Sequence, residues 1–303
     1  MIRVMLNLYG IARIIRMKTS FLSPYPKEIK SLLEPAILKR LQKEKRGQGY
    51  GKDYKPFLTV RDVPSKGRVH RRPALTHNRI VHLLSDLELA VFLLFDWNDS
   101  VTDIREQFPL NPEATIDIAR RLGIKHPAYK GILQVMTTDF LIDMEIDGFL
   151  VSQAVSVKYA DDLEVERTLE KQEIERRFWE SEKVAWYTFT EQDVPITSIK
   201  NIRWLAPHMH SYDLENSERA RIFDRIAKAL DGSSEEKLPL PLRELDAKYD
   251  QLPGTHLQYF RHFAAQNAFL WDIHGKLHTS LKAKDIELSE YWLNQEANYV
   301  YAQ

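Results

Sequence analysis

The sequence predicts an α/β fold, a mixed sheet flanked by helices, followed by a more helical C-terminal module. Three adjoining segments carry this reading. The first half of Val135–Tyr159 alternates apolar and polar residues up to Asp147-Gly148, a two-residue hairpin turn. Asp162–Lys183 reads as a long polar helix, with Glu173 and Arg177 in the favourable i,i+4 order. Val184–Thr190 (VAWYTFT) reads as a third strand.

Upstream of these, residues 27–45 carry Ile29, Leu32, Leu33, Ile37, Leu38 and Leu41 at helical spacing. Arg46–Gly51 has glycines at 47, 49 and 51 and reads as a flexible basic turn. It is not a phosphate loop, because no apolar strand precedes it and no GK[ST] closes it. Ser85–Phe95 is a strongly apolar helix, with Ser85 and Glu88 spaced as a capping box. Val101–Leu110 is a candidate strand. A short helix follows, capped by Asn111, opened by Pro112 and ended by Gly123.

In the hairpin, Met136, Phe140, Ile142, Met144 and Ile146 are apolar and alternate with Thr137, Asp139, Asp143 and Glu145. A turn at Asp147-Gly148 sets Asp139 opposite Ser156, Thr137 opposite Lys158 and Asp143 opposite Ser152. Asp139, Ser156 and Lys158 then share one face at one end of the sheet. After residue 191, Ser217–Leu230, Leu242–Asp250 and His256–Ala268 read as helices. Phe269–Ile273 and Leu277–Leu281, joined by His274-Gly275-Lys276, read as a hairpin, so this part suggests a winged-helix module. The implied organisation is an extension (1–26), an α/β domain with a basic N-terminal part (27–190) and a helical, winged-helix-like domain (191–303).

A chain of 303 residues, 44% hydrophobic and 28% charged, can bury a sizeable core and suggests two domains. It contains no cysteine, which excludes a disulfide scaffold, Cys-ligated zinc, iron–sulfur centres and nucleophilic Cys catalysis, and fits a reducing compartment. The net charge is zero, yet Lys39–Arg79 holds thirteen Lys/Arg against three acids. Such a block reads either as a polyanion-binding surface, most often for nucleic acid, or as a solvated basic arm. No apolar run is long enough to span a bilayer. Met1–Met17 is interrupted by Arg3, Arg13 and Arg16 and is a poor secretory signal. It reads as an amphipathic helix or as an extension upstream of a start at Met17.

Phosphodiester hydrolysis needs a cation against the developing phosphorane charge and a means of activating water. Asp139 can supply one oxygen ligand, Lys158 can orient or activate the attacking water and help neutralise phosphate, and Glu88 is the best second carboxylate. Each has a rival reading: Glu88 serving only its capping box, Asp139–Lys158 as a solvated cross-strand pair, and Glu175 paired with Lys171. His208/His210 and His274/His278 have metal-like spacing without a further cluster and read as loop histidines, while Trp179 and Trp186 read as core.

Six segments also resemble one family: RGQGYGKDYKPFLTV (46–60), HLLSDLELAVFL (82–93), DIREQFPL (103–110), GIKHP (123–127), QVMTTDFLID (134–143) and RTLEKQEIERRFW (167–179). Over about residues 44–205 the chain resembles TnsA, the endonuclease subunit of heteromeric cut-and-paste bacterial transposases. The resemblance implies a restriction-endonuclease-like N-terminal domain and a winged-helix-like C-terminal one. It implies metal-dependent cleavage with Glu88, Asp139 and the Val157 carbonyl on the metal, Lys158 as the lysine of the site and Glu175 as a further acid. The ion would be Mg²⁺, with Mn²⁺ substituting and two ions bound. The family pattern carries Gln two residues before the lysine. Here Ser156 stands there, and its shorter hydroxyl would reach a metal only through water. Arg46, Lys52, Lys66, Arg68, Arg71 and Arg72 would neutralise backbone phosphates of double-stranded DNA at transposon ends. Implied partners are a TnsB-like DDE transposase, which cuts and joins the 3′ ends, and a TnsC-like AAA+ regulator docking on the C-terminal domain. No membrane is involved, and the implied location is cytoplasmic and nucleoid-associated. Two other functions fit the residues: a DNA-binding assembly adaptor whose site Ser156 has silenced, and a stand-alone nuclease of defence or repair.

Overall fold

A computed structural model describes residues 43–62, 67–233, 235–290 and Trp292. All but residues 43–45 of the expected helix over 27–45, and the whole Met1–Met17 stretch, lie outside these residues, as does Lys66. The chain divides into two compact units between Val194 and Pro195. Among the described residues no helix is long and apolar enough to cross a membrane.

The first unit runs β1 (His70–Pro73), β2 (Ile80–Leu83), α1 (Asp86–Asp96), β3 (Val101–Pro109), α2 (Pro112–Leu122), β4 (Ala128–Tyr129), β5 (Ile132–Leu133), β6 (Thr137–Ile146), β7 (Phe149–Val157), α3 (Glu166–Ser181) and β8 (Ala185–Phe189). Its central sheet has the order β3-β6-β7-β8. β3/β6 and β6/β7 pair antiparallel, whereas β7/β8 is parallel across the α3 crossover. Asp147 and Gly148 both adopt positive φ (52° and 78°), the conformation of a type I′ hairpin. The resulting register, Phe140↔Val155 through Ile146↔Phe149, is the one this turn predicts.

Phe92 of α1 stacks on Phe140 at 6.5 Å between centroids, and Leu141 packs with Ile174, Phe178 and Trp179 of α3. Successive strand residues face opposite sides, so α1 and α3 cover opposite faces of the sheet. α2 begins and ends as its sequence dictates. Asn111 Oδ1 accepts the N–H of Glu113 and Ala114, and Gly123 closes the helix in the left-handed region.

The glycine-rich stretch before β1 differs from the flexible turn expected. Gly47 N–H donates to Lys55 O (2.6 Å) and Lys55 N–H to Gln48 O (3.0 Å). A Cβ on Gly47 would lie 2.4 Å from Pro109 Cγ, and one on Gly49 would lie 2.4 Å from Asp53 O. Both glycines also have positive φ, so close packing demands them, Gly47 against the end of β3 and Gly49 against the backbone of Asp53 and Tyr54. Tyr54, buried beside them, donates its hydroxyl to Glu106 O at 3.0 Å.

The second unit contains α4 (Ile196–Leu205), α5 (Asn216–Gly232), α6 (Pro239–Lys248), α7 (Thr255–Ala265), β9 (Phe269–Leu270) and β10 (Glu287–Leu288). Phe260, Phe263 and Phe269 are fully buried in its core, where Phe223 and Phe260 each stack on Phe269 at 5.1 Å. The wing differs from expectation: β9 pairs with Glu287–Leu288, not with 277–281. Asn201 of α4 explains why. Its amide donates to Ile273 O and Lys276 O, and its Oδ1 accepts the His278 N–H at 2.8 Å. That claims the groups a ladder would need, and His278–Ser280 forms a 3₁₀ turn instead.

Candidate active site

The antiparallel register sets Gln107, Asp139 and Ser156 in one row across β3, β6 and β7, and Thr188 of β8 continues it opposite Ser156. The regular β6/β7 ladder stops at Phe140↔Val155. One residue further on, the Asp139 side chain takes over as acceptor: the Val157 N–H donates to Oδ2 at 2.7 Å. Lys158 Nζ donates to the same oxygen at 2.8 Å and to the Val157 carbonyl, also at 2.8 Å. The cross-strand placement read from the turn thus becomes a direct ion pair. Its side chains are only 29% and 14% exposed, unlike a solvated surface pair.

Glu88 enters from the first turn of α1. Ser85 Oγ accepts the Glu88 N–H (3.0 Å), as a helix cap should. The carboxylate does not complete the box in the usual way. It accepts the Leu84 N–H at 2.9 Å and the Ser85 hydroxyl at 3.2 Å. Burial first, and then the negative charge of Asp139, push Glu88 up to about 7. Burial works against the Lys158 ammonium, but Asp139, Glu175 and Glu88 outweigh it and hold its pKa above the ordinary value. Lys158 therefore stays charged at neutral pH.

Glu175 of α3 is buried. Its Oε1 accepts the Thr138 hydroxyl (2.8 Å) and the Trp186 indole N–H (3.1 Å), and its Oε2 faces Gln172 Nε2 at 3.4 Å. No pairing with Lys171 is needed to explain it. Burial and then Asp139 push its pKa up to about 7. Ser156, also buried, donates towards Asp139 Oδ2 at 3.4 Å and accepts from Gln172 Nε2 at 3.0 Å. Trp179 is core, its indole donating to Thr138 Oγ1 at 2.6 Å.

Two members of the site were not read from sequence. Gln107 has φ +49° inside β3, a conformation rare for a side-chain-bearing residue. Its amide donates to Asp139 Oδ1 (3.3 Å) while its carbonyl accepts the Thr137 hydroxyl (3.0 Å). Gln172 is the second. Within the polar α3 sequence nothing marked it, although its spacing from Glu175, one turn away, placed both on one face.

Asp139 carboxylate and Val157 carbonyl are hard oxygens converging on one cation, with a second carboxylate, Glu88, close enough for its charge to be felt. This donor set fits a divalent ion of the Mg²⁺ type, which takes one or two carboxylates and completes its shell with water and phosphate. Among the described residues no three His, Cys, Asp or Glu side chains form a ready-made cluster. The histidines do not come together as ligands: His274 Nδ1 bonds Ser198, while His278 bonds Asn201 and stacks on Trp204 at 4.6 Å.

The basic residues divide. Lys52 and Arg71 are exposed, and Arg68, also exposed, reaches Asp86 at 3.2 Å. Arg46 is drawn inwards to Glu44 (2.8 Å), Asp62 and the Pro56 carbonyl. Arg72 is half-buried on β1. Arg79, part of the same basic block, grips buried Glu106 with both guanidinium arms at 2.8 and 2.7 Å. It is an internal strut.

Residues 98–191, which include Asp139, Ser156, Lys158 and Glu175, match the family described as TnsA-like endonuclease N terminal. Residues 193–273 match TnsA endonuclease C terminal. The chain is also 41% identical over 272 residues to transposon Tn7 transposition protein TnsA of Escherichia coli, an alignment covering 89% of this chain and 97% of the relative.

Proposed function

We propose that this chain, which belongs to the TnsA endonuclease family, is the Mg²⁺-dependent subunit that cuts DNA next to the 5′ ends of a transposon. The observation that carries the reading is the convergence of the Asp139 carboxylate, the Val157 carbonyl and the Lys158 ammonium at one end of the sheet, with Glu88 near enough for its charge to act on Lys158. Asp139, Val157 O and Glu88 would hold the metal, Mn²⁺ substituting for Mg²⁺, with two ions in the cleaving state. The ion supplies Lewis-acid stabilisation of the phosphorane and lowers the pKa of bound water.

The chain's own groups do the rest. Lys158, held to Asp139 and the Val157 carbonyl, acts as donor to the scissile phosphate and orients water. Gln107 and the Val157 N–H fix the Asp139 carboxylate from two sides, so its free lone pairs keep one direction. Glu175 has its oxygens occupied by Thr138, Trp186 and Gln172 and acts through them as a positioning residue. Exposed Lys52, Arg68 and Arg71, with Arg72 and Lys66, would contact backbone phosphates and contribute affinity without sequence readout.

In this reading residues 27–190 form the nuclease domain and 191–303 dock a TnsC-like AAA+ regulator. A TnsB-like DDE transposase recognises the ends and cuts and joins the 3′ strands, in the cytoplasm at the nucleoid. The test is excision from a plasmid bearing transposon ends, with both partners present and Mg²⁺ or EDTA. Double-strand release with Mg²⁺ alone is expected. Release in EDTA, or nicking of 3′ strands only, contradicts the proposal, the latter favouring the adaptor reading. Robust cutting without partners favours a stand-alone nuclease.

A further inference from the structure

The sequence of α3 is mostly polar, yet Gln172 is buried one turn before Glu175, on the face that also carries Ile174, Phe178 and Trp179. Its carboxamide is committed on both sides. The carbonyl accepts the Thr188 hydroxyl at 3.1 Å, and the amide donates to Ser156 Oγ at 3.0 Å and faces Glu175 Oε2 at 3.4 Å. A serine hydroxyl has one proton and two acceptor positions. Because Gln172 donates to Ser156 Oγ, the serine proton is directed to its remaining partner, Asp139 Oδ2 at 3.4 Å. A relay therefore runs Thr188→Gln172→Ser156→Asp139, every donor pointing the same way. It ends on the oxygen that also holds Lys158 and the Val157 N–H.

We propose that Gln172 is a positioning residue of the cleavage centre: from helix α3 it supplies the amide that orients Ser156 and Glu175 about Asp139. Positions 156 and 172 act as one unit. Ser156 has no solvent-exposed surface, and the space beyond its hydroxyl is filled by the Gln172 amide. A long side chain on β7 at position 156 and the glutamine on α3 thus compete for one volume, in a core that tolerates little overpacking.

The metal arm of the test rests on the nuclease reading above; the packing arm does not. The full chain is compared as wild type, Ser156→Gln, Gln172→Leu and the double variant, by melting without metal and by calorimetric titration of Mn²⁺. Ser156→Gln alone should melt lower than wild type, and adding Gln172→Leu should restore most of the loss. Gln172→Leu alone should weaken Mn²⁺ binding by about tenfold, the scale of a lost outer-shell partner. The double variant, with the amide moved from helix to strand, should return to within about threefold of wild type on the same scale. A double variant that melts no higher than Ser156→Gln shows that the two positions do not share one space and overturns the proposal. Wild-type Mn²⁺ affinity in Gln172→Leu overturns the positioning role. Should wild type take up no Mn²⁺, the metal reading of the site fails, and the melting cycle alone decides whether Gln172 and Ser156 are a unit.

Discussion

Glu175 allows the electrostatics of the site to be tested without metal or DNA. Three donors surround its carboxylate, yet burial, aided by Asp139, pushes its pKa from an ordinary 4.5 to about 7. A tenfold change in proton affinity is worth about 1.4 kcal/mol, so keeping Glu175 ionised at pH 8 costs the fold about 3 kcal/mol. The folded pKa lies above the unfolded one. The proton-linked stability is therefore complete below about 4.5 and is lost as pH rises through about 7. Glu175→Gln removes this dependence. Its carbonyl still accepts from Thr138 and Trp186, but its NH₂ meets the Gln172 amide, a pH-independent cost of about 1 kcal/mol. The two effects nearly cancel at pH 5 and leave the variant about 2 kcal/mol more stable at pH 8. At 2–4 °C per kcal/mol for a unit of 150–250 residues, the gap in melting temperature opens by about 5–10 °C between those pH values. Thermal unfolding by circular dichroism, with EDTA present, measures it. A gap that does not change with pH refutes the argument, because Glu175 would then titrate alike in the folded and unfolded chain.

Lys158→Met removes the cation from Asp139 and should cut the single-turnover cleavage rate by about 10²–10³-fold. An unchanged rate would dismiss the lysine from the site. Arg79→Met strands the buried Glu106 carboxylate and should cost about 3–5 kcal/mol. Scanning calorimetry should then show the melting point about 6–20 °C lower, whereas no change would mean that Glu106 is not buried as a charge. Lys52→Ala and Arg71→Ala should each reduce the slope of log K against log [salt] by about 0.9 while leaving sequence preference alone. Binding isotherms across a KCl series would reject the phosphate role if the slopes stay equal.

What the sequence made legible depended on local chemistry. Asp147-Gly148 fixes the turn, the turn fixes the register, and the register brings Asp139 to Ser156 and, two residues on, to Lys158. Asn111, Pro112 and Gly123 similarly mark the limits of α2. Features made by distant residues were hidden. The positive φ of Gln107 is imposed where β3 meets the 47–57 segment, whose Phe57 N–H donates to Gln107 O. Gln172 looked like one more solvated residue of a polar helix, since only the folded sheet supplies Ser156 and Thr188 as its partners. The β1/β2 hairpin was obscured because its arginines break the apolar alternation. The wing failed for a related reason: the pairing of β9 with β10 is decided by Asn201, nearly seventy residues upstream.

Strand-by-strand mapping of the cuts made at transposon ends, with TnsB- and TnsC-like partners present, tests the central claim most directly. The assembly containing wild type should show cuts next to both the 5′ and the 3′ ends, and Asp139→Ala should leave only the partner's 3′ cuts. An Asp139→Ala protein that still cuts next to the 5′ ends at the wild-type rate would place the cleavage chemistry outside the Glu88–Asp139–Lys158 site.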